Sequence, residues 1–466
     1  MNSLMFILNK KTMLSVLALS SLYSVNLNAQ SLEQAVASAL DSHPDIRQSF
    51  ARFKAKEEDV NRASAGYLPT IDLTAGYGYE YTDTPANRRT YGDGKTELAR
   101  GEFGISIKQI LFDGMYTSSE VNRTLFEASA EQWTLVANAE DLALQVSKAY
   151  LNYLKTNQLI KLSENNIASH QEIYEQIKER TDSGLGNIAD LSQVTGRLAR
   201  AQSNMISARN NHLDARTQFI RLTNVQPDNL VLPVPDADML PKDKTTGLNV
   251  AIKSHPVIKS AQQDIKAARS FKNAVQSNYF PKLSLELAAN SDNDIAGESG
   301  INRLGADVGG HRNDVTAMVR LRYNFYSGGK DIANERSAAY KVSEAQYLKN
   351  YSAHRQVTES FGLAWNAFEM LALQKKYIKQ HVITAKDTQV AYKQQFNIGQ
   401  RNLLDLLDTE NELFQARKDY LDASFNELSA RYRLLNATGQ LLDSLRVTRS
   451  SAWKGEHEYG QGAYHD

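Results

Sequence analysis

The chain has 466 residues, of which 42% are hydrophobic and 23% are charged, so it is long enough to bury a large core. Its 53 basic residues balance its 53 acidic residues, and the formal net charge of zero lacks the basic excess typical of nucleic-acid-binding proteins. Cysteine is absent, which excludes disulfides, thiolate metal sites and a lipid-bearing cysteine.

The first 29 residues have the pattern of a cleaved secretory signal peptide. Lys10 and Lys11 precede the apolar run MLSVLALSSLYSV, and the small residue Ala29 stands before Gln30. The run is shorter than the roughly 20 residues that a membrane-spanning helix needs. We therefore predict export across the inner membrane. Because no later apolar stretch is long enough for such a helix, any membrane-spanning segment is predicted to be a β-strand.

The remainder of the chain is predicted to be an internal duplication. Ser-His-Pro at 42–44 recurs at 254–256, and Tyr-Leu-Pro at 67–69 recurs as Tyr-Phe-Pro at 279–281, both at an offset of 212 residues. GLGNIADL at 184–191 recurs as GQRNLLDL at 399–406, at an offset of 215. The predicted organisation is a first repeat at 30–225, a proline-rich linker at 226–247, a second repeat at 248–439 and a C-terminal tail at 440–466. The composition of the tail is typical of a disordered end rather than a metal site.

Each repeat contains two segments in which apolar and polar residues alternate, at 71–81 and 103–111 and again at 283–289 and 315–325. Alternation over roughly 10 residues is typical of transmembrane β-strands with an apolar outer face and a charged inner face. The alternative is an amphipathic sheet on a soluble core. Four strands cannot close into a barrel, and their open edges cannot face lipid. Three copies would supply twelve strands, enough to enclose a lumen, whereas the eight strands of two copies would form a barrel filled by side chains. We therefore predict a homotrimer.

Each strand pair is followed by a long predicted helix, at about 115–183 and about 330–395, the second interrupted at Gly362. Such helices measure roughly 100 Å at 1.5 Å per residue. A return helix follows each of them, with residues seven apart that are typical of a coiled-coil seam. The predicted seam residues are Leu191, Leu198, Met205, His212 and Phe219 in the first repeat and Leu407, Phe414, Leu421, Leu428 and Leu435 in the second.

These features together resemble the TolC family of outer-membrane efflux and secretion channels across nearly the whole mature chain. The resemblance is carried by the duplicated order of elements, the paired Ser-His-Pro and Tyr-(Leu/Phe)-Pro motifs, and the turns GLGNIADL and GQRNLLDLLD. It implies a mixed α/β membrane protein, a trimer that shares a 12-stranded outer-membrane β-barrel with four strands from each chain. It also implies a long periplasmic α-helical barrel built of coiled coils.

The resemblance also implies roles for four charged residues in or beside the turns GLGNIADL and GQRNLLDLLD. Asp405 and Asp408 match positions that ring the periplasmic entrance, where six carboxylates in a trimer would favour cations. Arg401 and Asp190 match an ion pair that holds the entrance closed. The alternative for the two acids is an ordinary solvated position on the outer face of a coiled coil.

The implied partners are an inner-membrane ABC or proton-driven transporter and a periplasmic adaptor protein. The adaptor is expected to dock on the turns at Gly184, Leu185, Gly399 and Gln400. No catalytic, nucleotide-binding or metal-binding motif is recognisable, so a passive channel without a cofactor is predicted.

The lack of a lipid-bearing cysteine favours type I protein secretion, with multidrug efflux as the alternative. Two other classes of protein account for less of the sequence. A structural coiled-coil surface protein would explain the helices but not the alternating strands, and a barrel enzyme would explain the strands but not the long helices.

Overall fold

The computed structural model describes residues 30–83, 85, 95–294 and 311–459. The predicted signal peptide at 1–29 and the end of the tail at 460–466 lie outside the described residues. The chain divides into two compact units. The described part of the first contains residues 30–39, Gln145–Pro235 and Tyr377–Phe425, and it is built of helices and loops. The second contains Leu40–Leu144, Asp236–Lys376 and the chain from Asn426 onward, and it includes all the described strands.

The first repeat runs through helices, two strands and two further helices in the predicted order. Its elements are α1 (Leu32–Ser42), α2 (Pro44–Ser64), β1 (Thr70–Asp83), β2 (Lys95–Phe112), α3 (Tyr116–Asp182) and α4 (Ile188–Thr223). The second repeat has the same order, with α5 (Lys244–Ser254), α6 (Pro256–Gln276), β3 (Lys282–Asp294), β4 (His311–Arg322), α7 (Lys330–Glu344), α8 (Ser352–Asn397) and α9 (Leu403–Ala437). A short helix, α10 (Leu441–Ser444), follows. The internal duplication is therefore confirmed.

Three boundaries differ from the sequence prediction. Gly362 lies inside α8, and the long helix of the second repeat is instead interrupted by a π-helical segment, Ala345–Tyr351. β4 ends at Arg322, so Tyr323 and Phe325 follow the strand rather than extend it. Helix α5 begins within the predicted linker.

No helix in the described ranges has both the length and the apolar character that crossing a membrane requires.

The four strands form one antiparallel sheet in the order β1-β2-β3-β4. Leu73 lies opposite Ile105, which in turn lies opposite Ala289, so the apolar positions share one face. On the other face Thr74, Gly104, Asn290 and Asp314 form one row of polar and small residues across all four strands. The predicted alternation is therefore confirmed. Within the described chain, β1 and β4 each have one edge that pairs with no strand.

The repeated Ser-His-Pro motif begins a helix in each repeat. His43 precedes α2, and its Nδ1 accepts a hydrogen bond from the backbone N–H of Asp45 at 3.3 Å. His255 precedes α6, and its Nδ1 accepts from the N–H of Val257 at 3.3 Å. Each proline occupies the first helical turn, where no backbone N–H is needed. Burial lowers the pKa of His255 to about 4, which keeps the ring neutral and able to accept.

The coiled-coil seam of α4 agrees with the prediction, whereas that of α9 is shifted by one residue. Leu198, Met205 and Phe219 are buried as predicted. The buried residues of α9 include Leu413, Ala416, Ala423, Glu427, Ala430, Leu434 and Ala437. They lie at a constant offset of 215 from Leu198, Ala201, Ala208, His212, Ala215, Phe219 and Leu222 of α4. All five predicted positions there, 407, 414, 421, 428 and 435, fall one residue beyond those equivalent to the α4 series. Leu407 and Leu435 are buried nevertheless, whereas Phe414, Leu421 and Leu428 are partly exposed. The prediction followed the large side chains, but small alanines fill half of the true seam.

The described part of the tail is held by specific contacts, although its composition is typical of a disordered end. Its anchor is Glu57 on α2, a fully buried carboxylate that accepts hydrogen bonds from the Tyr459 hydroxyl at 2.8 Å and from the backbone N–H of Glu456. Trp453 is also buried, and its carbonyl accepts a hydrogen bond from Gln132 Nε2 at 2.8 Å. These contacts fix residues 451–459 against α2 and α3.

Candidate channel entrance

The two sequence-predicted turns, which we call the entrance turns (residues 183–187 and 398–402), have the same backbone geometry. Gly184 and Gly399 have φ values of +77° and +78°, in the left-handed region that glycine adopts most easily. After α3, the N–H of Leu185 bonds to the carbonyl of Arg180 at 2.9 Å. After α8, the N–H of Gln400 bonds to the carbonyl of Gln395 at the same distance. Both helices therefore end in a Schellman motif, which reverses the chain within a few residues.

The helix that follows each turn begins at an asparagine. The side-chain oxygen of Asn187 accepts from the N–H of Ala189 at 2.9 Å, and that of Asn402 accepts from the N–H of Asp405 at 2.8 Å. Asparagine is among the preferred residues at this position because its oxygen satisfies an otherwise unpaired helical N–H. The two asparagines are equivalent in the repeats, so the sequence signal of each turn is a glycine followed by this cap.

The acids in the leucine-rich segment GQRNLLDLLD lie on the opposite face of α9 from the buried leucines. Leu403, Leu406 and Leu407 are at most 5% exposed and pack with Ile173, Ile177, Val194 and Phe396 in one core cluster. The Asp405 side chain is 34% exposed and that of Asp408 is 60% exposed. Solvation removes most of the cost of placing charge beside an apolar core. Helical periodicity thus explains how both residue types occur in one short segment.

Arg401 contacts residues of the two helices that flank its own turn. Its Nη1 lies 3.5 Å from Asp405 Oδ2, its Nε donates to Gln395 Oε1 at 3.0 Å, and its guanidinium lies 4.2 Å from the ring centroid of Tyr392. Among the described residues of one chain, Asp190 is not one of its ion-pair partners. The structure of the single chain therefore does not bring the predicted pair together.

Asp408 pairs with Arg197, a residue that the sequence analysis did not identify. Arg197 Nη2 donates to Asp408 Oδ1 at 2.9 Å and joins α4 to α9. No local sequence signal links the two residues, because they are 211 positions apart. Each of the two predicted entrance acids thus has an arginine partner within one chain.

Apolar side chains at the entrance turns are exposed to solvent. Leu185 is 86% exposed, Ile188 is 78% exposed and Ile398 is 69% exposed. Adjacent exposed apolar residues on a rigid turn are typical of a surface that contacts another protein. Gly184, next to Leu185, and Gly399 and Gln400, which follow Ile398, are also exposed.

A four-stranded sheet with one apolar and one polar face, joined to two copies of a helical hairpin with matching turns, defines the class of protein. It is a protomer of a TolC-like outer-membrane channel. The chain belongs to the outer membrane efflux protein family, whose model matches residues 35–225 and 247–440. The predicted family, the fold and the location in the outer membrane are thereby confirmed.

Known proteins of this class are similar along almost their whole length. Outer membrane protein TolC of Escherichia coli is 26% identical over 439 residues, which cover 91% of this chain and 85% of that protein. Alkaline protease secretion protein AprF of Pseudomonas aeruginosa is 21% identical, over 86% of this chain and 83% of that protein. The crystal structure of the Campylobacter jejuni CmeC outer membrane channel superposes with a TM-score of 0.74 at 15% identity, over 88% of this chain and 86% of that one.

Proposed function

We propose that three copies of the chain form a passive duct that carries molecules out of the cell across the outer membrane. The observation that supports this most directly is that β1 and β4 each keep an edge with which no other described strand pairs. An open edge in lipid leaves backbone N–H and C=O groups without partners, which is costly, and pairing with further copies removes the cost. Three copies give twelve strands, which leave room for a lumen.

The entrance turns control passage in this proposal. Asp405 and Asp408 of three copies place six carboxylates around the periplasmic entrance, where they favour cations over anions. Arg401 reaches Asp405 in the single chain, so the pair with Asp190 is assigned to neighbouring copies. Such a pair is worth only about 0–1 kcal/mol, which suits a contact that a partner protein releases.

A periplasmic adaptor docks on the entrance turns and recruits an inner-membrane transporter, which supplies the energy. The exposed Leu185, Ile188 and Ile398 support this assignment, because they give each turn an apolar surface next to Gly184 and Gly399. The test is cross-linking to the adaptor in cells with Leu185→Asp. We expect loss of the cross-link and of export, with the trimer retained.

The matched control is Val234→Asp, because Val234 is 87% exposed and lies in the linker, away from the turns. Equal cross-linking of the two variants would refute docking at the entrance turns.

The preferred cargo is a secreted protein handled by a type I secretion system. The secretion function in the name of the relative AprF and the absence of cysteine support this assignment. Drug efflux is the second candidate, and the description of the family supports it. A deletion strain, compared with the same strain complemented by the wild-type chain, separates the two. Proteins that are missing from the medium of the deletion strain and restored by the chain, with unchanged drug sensitivity, support secretion. Increased drug sensitivity that the chain reverses, with an unchanged medium, supports efflux.

A further inference from the structure

The charge on the polar face of the sheet changes sign along the strands. The end joined to the helices is where β1 and β3 begin and where β2 and β4 end. Near that end the polar face carries four cationic side chains, Lys108, Lys282, Arg320 and Arg322, against the carboxylates of Asp72 and Glu286. Four positive and two negative charges leave a net charge of +2. We call these four cationic residues the basic collar.

The far end of the same face is acidic in its described part. Among the described side chains of that end, Glu80, Glu102, Asp292 and Asp314 outnumber Arg100, which leaves a net charge of −3. The strand register adds Asp294 opposite Arg100 and Arg312 opposite Asp292, whose formal charges cancel. Arg100 lies within 2.9 Å of Glu80 and 2.7 Å of Glu102. At the far end the one cation among the described side chains is therefore paired with two carboxylates, whereas in the basic collar the cations outnumber the carboxylates.

Two members of the basic collar face each other without a carboxylate partner. Lys282 is directly opposite Arg322 in the β3–β4 register. Neither forms an ion pair with another described residue, and the Lys282 ammonium lies 5.8 Å from the ring centroid of Tyr116. Like charges directly opposite each other destabilise a sheet, so this pair weakens the fold on its own.

The other two members share a single acid. Glu286 accepts from Arg320 Nε at 2.7 Å and lies 3.8 Å from Lys108 Nζ. Both cationic side chains are still exposed, at 44% for Arg320 and 51% for Lys108. The basic collar therefore presents unneutralised positive charge to the solvent on the polar face.

We propose that the basic collar is a binding site for multivalent oxyanions, such as clustered phosphate or carboxylate groups on a molecule in transit. The inference rests on the proposed function, because the polar face lines the lumen only in a shared barrel. Three copies then place a net six positive charges around one ring. Mobile anions are attracted into a ring of fixed positive charge, and the attraction falls as salt screens it. A ligand that bridges Lys282 and Arg322 removes their repulsion.

The test uses tripolyphosphate as the probe and Lys282→Gln/Arg322→Gln as the variant. Calorimetry on the detergent-extracted trimer measures binding, and block of single-channel current measures occupancy of the lumen. We expect the dissociation constant and the half-blocking concentration to rise at least about tenfold in the variant, because each chain loses two positive charges that have no carboxylate partner. Lys242→Gln/Lys244→Gln removes the same charge from exposed sites outside the sheet and is expected to bind and block as the wild type does.

Unchanged affinity in the collar variant, or an equal loss in the control, would overturn the proposal. Because the variant removes a like-charge pair, we expect it to be at least as thermally stable as the wild type. Arg322→Gln alone provides a second variant if the double substitution fails to assemble. A wild-type trimer that conducts no ions contradicts the proposed function and not the binding site. In that case the calorimetric comparison of wild type and variant alone tests whether the basic collar binds tripolyphosphate.

Discussion

Arg197→Gln tests whether the ion pair between α4 and α9 restrains the entrance. The substitution removes the ion pair with Asp408 at 2.9 Å. The side chain of Arg197 is 26% exposed and that of Asp408 is 60% exposed. An exposed pair of this kind contributes about 0.2–1 kcal/mol, so three symmetric copies contribute roughly 0.6–3 kcal/mol if they act together. At 1.4 kcal/mol for each factor of ten, this corresponds to an open-to-closed ratio about threefold to a hundredfold higher.

The assay is single-channel recording of open probability and of the cation-to-anion permeability ratio. Both are expected to rise in Arg197→Gln, since the entrance loses a restraint and gains one unpaired carboxylate per chain. Arg200→Gln is the control, because it removes an equal charge from an exposed position on the same helix. In an Asp408→Asn background the Arg197 substitution is expected to have no further effect. The reasoning is refuted if Arg197→Gln still alters gating when Asp408 is absent.

Three further predictions concern the packing of the fold and are tested by thermal denaturation or proteolysis. Gly399→Ala is expected to cost about 1–2 kcal/mol because of its positive φ, whereas Gly362→Ala inside α8 stabilises by about 0.5–1 kcal/mol; equal effects would refute the turn geometry. Burial raises the pKa of Glu140 to about 8, so the wild type loses stability as the pH rises from about 4.5 to about 8 while Glu140→Gln does not; parallel pH profiles would contradict this. Glu57→Gln is expected to weaken the tail anchor by about 2 kcal/mol and to expose the tail to trypsin, unlike the exposed control Glu58→Gln.

The sign of the Glu140 effect follows from the order of its two pKa values. The folded protein holds the proton up to about pH 8, because burial disfavours the charged carboxylate and outweighs the opposite effect of the N–H groups of Leu441 and Leu442, which donate to it at 3.0 and 3.2 Å. The unfolded chain releases that proton near pH 4.5. Between these values the folded state binds more protons, so raising the pH favours unfolding.

The sequence was sufficient to predict the repeated architecture because its signals are local. Alternation fixes the faces of the strands, and the helices α2 and α6 begin at the two Ser-His-Pro motifs. The glycines of the entrance turns mark positions where only a left-handed backbone allows a tight reversal. Each of these features depends on a few neighbouring residues.

The features that were missed depend on residues far apart in the chain. Arg197 and Asp408 are separated by 211 positions, and nothing near either residue indicates the other. Glu57 and Tyr459 are 402 positions apart, so the composition of the tail could not reveal its anchor. The seam of α9 was misplaced because alanines carry little hydrophobic signal even where they are fully buried, as Ala416 is.

The central claim is that three copies form a duct whose entrance is lined by Asp405 and Asp408. The most direct measurement is the single-channel conductance and reversal potential of the detergent-extracted trimer in a planar bilayer, compared with Asp405→Asn/Asp408→Asn. We predict small, cation-selective currents in the wild type and loss of that selectivity in the double variant. A folded trimer that conducts no ions, or a double variant with unchanged selectivity, would contradict this account.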